Sequence, residues 1–394
     1  MTARRAVLLP MLLLALLPGA AAAALPGTWT LDVRLRLEQV DDGAFARDAT
    51  ALTLRTRLGW RSGAWHGWSV LVEGEDVRAL VDGYNSTANG RTGYPVVLDP
   101  QGAELNQAWL GWDGAAGNLV RIGRQRIALD NQRFIGNVGW RQNEQTFDAV
   151  SAGWRPAPAW TLRWAWLDRV HRVAGRGHPQ RLQARQDLDT HLVNVAWAGP
   201  LGTLTGYGYL LENQDLPAQS TRSLGLRHAG ERALAEGLDL LHAAEWARQS
   251  GWRDAPDTGT VGYLALEAGV RRSGHALRAG GERLAGNGVR AFQTPLATGH
   301  AFNGWADRFL VTPADGLRDR YLKLDGPLGP LRYGVAWHDF RADRGGDRYG
   351  RELDLQLAWP VAPGWTVLAK YADYRSDGFG SDVRKGWLSV EYRR

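Results

Sequence analysis

Cysteine is absent from the 394 residues. That excludes disulfides, thiolate metal sites and a cysteine nucleophile. Cohesion must come from burial or from a closed hydrogen-bonded sheet. Lysine is nearly absent too. Lys323, Lys370 and Lys385 are the only three among 47 basic residues, so the cations are almost all arginine. Guanidinium forks suit carboxylates and stay charged at any pH. No apolar run reaches the ~20 residues that a spanning helix requires. Catalytic signatures are missing as well: there is no G-x-S-x-G and no H-E-x-x-H. The nine histidines are scattered, with no pair at metal-ligand spacing. No catalytic residue, metal or cofactor is expected, and there is no ATP motif.

What is present begins with a leader. Arg4 and Arg5 precede the apolar stretch Ala6 to Leu17, and Ala20 to Ala24 are all small. This is the pattern of a secretory signal peptide over 1–24, with the mature chain at 25–394. Its removal takes away Arg4 and Arg5 and no acid, so the formal charge falls from +6 to +4. That excess is too mild for a nucleic-acid binder.

The mature sequence alternates. Leu31, Val33, Leu35 and Leu37 oppose Asp32, Arg34, Arg36 and Glu38. Leu52, Leu54, Leu58 and Trp60 oppose Thr53, Arg55 and Arg57. Trp160, Leu162, Trp164 and Trp166 oppose Thr161, Arg163 and Ala165. The same pattern recurs around Val193, Leu353 and Leu388. A period of two with one apolar face is a strand signal. Candidate strands fall near 28–40, 51–60, 68–77, 104–112, 118–126, 147–154, 160–171, 190–198 and 203–212. Others fall near 221–228, 238–248, 260–270, 274–284, 319–325, 331–341, 350–359, 365–375 and 384–392. Residues 231–249 have a helix-favouring composition, but Gly237 interrupts them and they are read as strand.

Alternation alone fits a soluble glycan-binding sandwich or a barrel in a membrane. Three features favour the barrel. Segments end in Trp60, Trp112, Trp154, Trp197 and Trp359, as an aromatic girdle would. Turn residues recur with no helical domain between them. The last segment, with Leu388, Val390 and Tyr392 on one face, is again a strand. The expected fold is all-β: a transmembrane antiparallel barrel of about eighteen strands in the outer membrane of a Gram-negative bacterium. Its outer face would meet outer-membrane lipid. Two long connections, 79–103 and 286–318, are expected to be functional loops.

At 104–150 the chain reads ELNQAWLGWDGAAGNLVRIGRQRIALDNQRFIGNVGWRQNEQTFDAV. This closely resembles the core signature of the alginate export family of outer-membrane proteins. RIGRQ, DNQRFIGNVGWRQN and QTFDA carry the likeness. LRTRLGW at 54–60, YPVVLDP at 94–100, AFQTPLATGHAFNGWADRFL at 291–310 and HDFRAD at 338–343 agree in order. The resemblance implies a monomeric eighteen-stranded barrel with an arginine-lined pore. The family's named member passes alginate out of the cell. This chain is shorter than that exporter, and Arg393 and Arg394 follow the aromatic Tyr392.

The residues support such a role on their own chemistry. Arg121, Arg124, Arg126, Arg133 and Arg141 crowd one segment, interleaved with Gln125, Asp130, Asn131, Gln142 and Asn143. Alternation turns Val120 and Ile122 to lipid and Arg121 and Gln125 to the lumen. The pattern breaks after Ile127, so 128–146 is expected to be a loop or an inward fold. Binding an acidic polysaccharide, or another anionic solute, calls for guanidiniums, amides and an aromatic face such as Trp140. A channel releases its cargo best from several weak sites. Arg34, Arg36, Arg55, Arg57 and Arg163 join the candidate pore lining by parity. Against this, Asp32, Glu38, Glu104, Asp130, Glu144 and Asp148 are available to pair with the same arginines. The other readings are a small-solute anion porin, and an outer-membrane enzyme acting on lipid or polysaccharide. His338, Asp339 and Asp343 are expected to serve packing or a lumen hydrogen bond, because His338 and Asp339 face opposite sides of a strand. The DRGGD segment, Asp343 to Asp347, is a weak calcium candidate.

Overall fold

The computed structural model describes residues 27–394; the expected leader at 1–24 lies outside them. Alternation delivers a strand wherever it was read. The first nine are β1 Thr28–Asp42, β2 Ala49–Arg61, β3 Trp68–Gly83, β4 Gly102–Asp113, β5 Leu119–Gln125, β6 Thr146–Ala157, β7 Trp160–His171, β8 Arg185–Gly199 and β9 Gly202–Leu211. The rest are β10 Thr221–Ala235, β11 Leu238–Gly251, β12 Val261–Arg272, β13 His275–Ala285, β14 Gly316–Leu328, β15 Leu331–Arg341, β16 Arg348–Ala362, β17 Trp365–Ser376 and β18 Val383–Arg393. The helix-favouring stretch 231–249 is the β10–β11 hairpin, with Gly237 at φ +68° in its turn. A left-handed residue is what a two-residue hairpin needs, and glycine takes it without strain.

Each strand pairs antiparallel with its sequence neighbours, and β1 pairs with β18 from Asp32↔Arg393 to Asp42↔Val383. The sheet is therefore a closed ring of eighteen strands. Closure matters because an open edge in lipid would leave peptide groups unsatisfied at several kcal/mol each.

The two faces differ as alternation requires. Leu35, Ile122, Leu264, Leu322, Trp337, Leu355 and Leu388 stand exposed on the outside. Arg34, Arg55, Glu245, Glu282, Asp319, Glu352 and Lys370 are buried on the inside. Tryptophans pair across strands in register at one rim: Trp29↔Trp60, Trp68↔Trp112 and Trp160↔Trp197. They form a girdle at the end where the connections are short, from two-residue turns such as 158–159, 200–201 and 363–364 to the six residues 62–67. The other end carries the long loops.

Two expectations about those loops need correction. The connection expected at 79–103 begins only at residue 84, because a bulge between Leu52 and Thr53 lets β2 and β3 stay paired to Gly83. The connection expected at 286–318 ends at 315, where β14 begins. Both 126–145 and 286–315 fold into the barrel. They pack on an apolar belt that lines its long-loop half, including Val40, Leu167, Leu192, Leu211, Leu317 and Phe340. Phe134 of the first loop lies 5.3 Å from Tyr207 and Tyr263 and 5.6 Å from Phe292 of the second. The interior is thus part core, not wholly charged.

Leu355 and Gln356 test the two faces. Leu355→Arg puts a charge toward lipid near mid-strand and should cost ~2–4 kcal/mol. Gln356→Arg, facing inward, should cost far less. Urea titration of barrels folded into vesicles measures both; equal losses would contradict the assigned faces.

Candidate functional site

The inward loops are held by buried ion pairs. Arg133 meets Glu282 of β13 with two hydrogen bonds, at 2.6 and 3.0 Å, and donates to Asn303 at 2.8 Å. Both charges are almost wholly buried. The fork-to-fork geometry is the strong form of a guanidinium–carboxylate pair. Arg141 reaches Glu38 at 3.2 Å and Asp307 at 3.1 Å, so it ties loop 126–145 to both β1 and loop 286–315. Burial would raise the Glu144 carboxyl, but Arg57 and Arg126 overcome it and hold it down at about 2.

The arginine ladder on β1 and β2 grips the same loop. Arg34 donates to the carbonyls of Trp140 at 3.0 Å and Gly139 at 3.2 Å; Arg36 donates to the Trp140 carbonyl, and Arg57 to that of Gln142 at 3.2 Å. Each also holds an acid: Arg34 takes Glu391, Arg36 takes Asp99, Arg55 takes Asp32 and Glu391, and Arg57 takes Glu75. Arg126 is paired with Glu73 and Glu144, and Arg121 with Asp113. Of the ten arginines expected to line the pore, Arg163 alone has no ion pair among the described residues.

Arg124 is the clearest departure from the expected lining. It has the parity of lipid-facing Ile122 and bonds Asp148 at 2.8 Å on the outer wall. That shared parity could have been read from the sequence. Gln142 and Asn143 are sealed in as structural pins. Gln142 donates to Thr53 at 2.9 Å, and Asn143 to the carbonyls of Pro100 and Val173 at 3.3 and 3.2 Å. Gln125 bridges to the Ala149 carbonyl and Ser151. Asp130 accepts from Asn194 at 2.7 Å, and the Asn131 side chain accepts from the Arg133 backbone at 3.2 Å.

Trp140 stacks on His300 at 4.5 Å and 3°. Lys370 sits 4.0 Å from the Trp140 ring and 3.7 Å from that of Trp305, and its ammonium donates to His300 Nε2 at 2.9 Å. His300 Nδ1–H then donates to Asp307 at 2.8 Å, which suits a neutral ring. Burial and the Lys370 charge pull His300 down to about 3. His338 bonds Asp319 at 2.9 Å inside the barrel, the lumen hydrogen bond expected of it. Asp343 is taken by Arg283 and Arg318. No group of three or more metal-ligating side chains occurs among the described residues.

A vestibule of about 870 Å³ lies at the long-loop mouth, lined in part by the two inward loops. Arg141, Arg172, Arg290, Arg308 and Lys385 line it, against Asp42 and Asp307. Arg308 holds Asp42 at 3.0 Å, and Lys385 holds Asp307 at 2.9 Å. Arg172 and Arg290 hold no acid in an ion pair among the described residues. Arg172 bonds Gln145 and the Pro295 carbonyl, and Arg290 bonds Gln249. Burial alone pulls Arg172 below its ordinary value, as for a charge no carboxylate answers. Neither was among the residues expected to line the pore. Their signal was the lack of acids: none lies between Asp168 and Asp187, nor between Glu282 and Asp307. A smaller cavity of about 120 Å³ beside β11–β15 is acidic instead, with Glu245, Glu267, Glu282 and Asp319.

A closed eighteen-stranded barrel with a girdle, polar interior and inward loops is an outer-membrane channel protein. The family model described as alginate export matches residues 27–260, more than half of the chain, and the chain belongs to that family. No curated protein sequence matches it significantly. Among solved structures it resembles Acinetobacter baumannii OccAB2, with a TM-score of 0.73 at 14% identity, covering 93% of this chain and 98% of that one. It also resembles Pseudomonas aeruginosa OpdK, crystallised with vanillate, with a TM-score of 0.73 at 15% identity and the same coverages. Pseudomonas aeruginosa OccK3 follows at 0.71 and 17%, covering 93% and 95%. The protein is an outer-membrane channel of a Gram-negative bacterium.

Two outcomes follow from the latch. Arg133→Ala leaves Glu282 buried and unpaired, at a cost of ~3–5 kcal/mol. Chymotrypsin should then cut loop 126–145 in the folded barrel, and conductance should rise; unchanged cleavage and conductance would refute the latch. Acid should act likewise. Docked Glu144 and docked His300 have values below their free ones, 4.5 and 6.5, so the released loops bind protons first. Their contributions are present above pH 6.5 and are lost as pH falls from 6.5 toward 2. Loop cleavage should be faster at pH 4 than at pH 7, assayed with an acid-active protease calibrated on a flexible peptide; equal corrected rates would count against it.

Proposed function

We propose that the channel passes anionic solutes, with carboxylates of acidic polysaccharides as the favoured cargo. The observation that carries this reading is the pair Arg172 and Arg290, which face the vestibule without a carboxylate partner. A half-buried guanidinium with no acid in ion-pair reach is stabilised by an anion that arrives. Arg163 supplies a further unpaired cation on the lumen wall. The ladder arginines contribute less to cargo, since carboxylates of the protein already occupy them. Binding at separated, weak sites suits release as well as capture. Flow is passive and follows the gradient, and one chain forms one pore. Family membership and the channel neighbours support a transport role without catalysis.

A second reading, a porin for small anions, is favoured by one observation. The neighbour OpdK was crystallised with vanillate, a small aromatic carboxylate. The two differ in what blocks the pore.

Planar-bilayer recordings under a salt gradient test both. The wild-type reversal potential should show anion preference, and oligouronates should block the current. Arg172→Ala with Arg290→Ala should shift the reversal potential toward cations and weaken the block several-fold. Block by vanillate but not by oligouronates would favour the small-solute reading. Cation preference in the wild type would end the anion proposal.

A further inference from the structure

The two rims of the barrel meet their interfaces differently. Tryptophans mark the turn end. At the long-loop end the outer wall of β13–β17 carries arginines instead. Arg283, Arg318 and Arg341 lie directly opposite one another across three strands. One pleat nearer the membrane, Arg320 lies opposite Asp339, which lies opposite Arg351, which lies opposite Arg375. Two residues further along the strands the lipid-facing wall begins, with Leu322, Trp337 and Leu353. That is about 7 Å at the strand rise.

Like charges directly opposite on a sheet repel. Here they are only partly answered. Asp343 lies beneath Arg283 and Arg318 at 2.6 and 2.7 Å, and Asp339 bonds Arg341 at 2.8 Å. Those two aspartates are covered, at 3% and 10% exposure, while Arg283, Arg318 and Arg341 stand 42% to 51% exposed. In the second row Arg351 meets Asp377 at 3.5 Å and Arg375 meets Asp373 at 2.8 Å. Arg320 makes no ion pair among the described residues. The outward faces of the guanidiniums thus remain open to further anions.

The panel is one-sided. Across the barrel, at the same height on β5–β8, Arg124 and Arg169 meet Asp148 and Asp187, and Asp189 accepts from the Trp166 indole. That wall offers no surplus of cations. The long-loop end is the extracellular one by the usual asymmetry of such barrels. We infer that the β13–β17 panel is a binding surface for the phosphorylated head group of an outer-leaflet lipid. The acyl chains would lie against Leu322, Trp337 and Leu353, and the phosphates against the arginine rows. The continuity of the panel with the lipid-facing wall is what selects a lipid over a soluble anion, and an Arg fork suits a phosphate oxygen pair.

The test uses the whole folded protein in detergent, titrated with diphosphoryl lipid A and read by native mass spectrometry. The variant Arg318→Ala, Arg320→Ala, Arg341→Ala should bind about tenfold more weakly. Arg320→Ala alone breaks no ion pair and should weaken binding by a smaller factor. Monophosphoryl lipid A should bind less than the diphosphoryl form, and conductance should be unchanged, since the panel faces away from the lumen. Equal binding by wild type and both variants would overturn the proposal. So would competition by inorganic phosphate at the lipid's own concentration, which would mark a free-phosphate site. An equal loss on Arg124→Ala with Arg169→Ala would show general charge attraction and overturn it as well.

Discussion

Inside a bilayer the backbone has no water to bond, and this chain has no cysteine for a disulfide and, among its described residues, no helix long and apolar enough to cross. The β1–β18 seam is what satisfies it. Once Asp32 to Asp42 pair with Val383 to Arg393, every strand has two partners, and the period of two fixes which side chains meet lipid. Closure also creates a second problem. Eighteen strands enclose more space than their inward side chains fill. The long-loop half resolves it with an apolar belt on which loops 126–145 and 286–315 pack. Charge pairs then set where those loops sit.

The arginines therefore divide by what answers them. Those on β1 and β2 hold acids and loop carbonyls at once, which makes them framework. Arg133 and Arg141 latch the two loops to the wall and to each other. Arg172 and Arg290, at the mouth, have only neutral hydrogen-bond partners, and these are the two that the proposed anion path would use. One residue type thus serves wall and latch and, in the proposed function, cargo path, separated by whether a carboxylate is within reach.

The barrel was legible because its signal is local. Leu353, Leu355, Leu357 and Trp359 declare a strand and its outer face within seven residues. The inward fold of 128–146 was legible as a break in that pattern, though not the depth to which it enters. The latch was not legible. Arg133 and Glu282 are separated by 149 positions, and no local rule pairs them. The interior apolar belt was hidden for a different reason. Leu188 and Leu192 face inward on β8, while Val193 and Trp197 face outward, so both parities are apolar and alternation blurs. Arg124 was misplaced by weighing charge above parity.

The two inward loops, and not the strand wall, are expected to set the width of the channel. The most direct test replaces residues 291–309 with a short Gly-Ser linker and measures single-channel conductance. Retained heat-dependent gel mobility would certify the fold. Conductance should rise several-fold, with weakened anion preference. A correctly folded variant with unchanged conductance would contradict it.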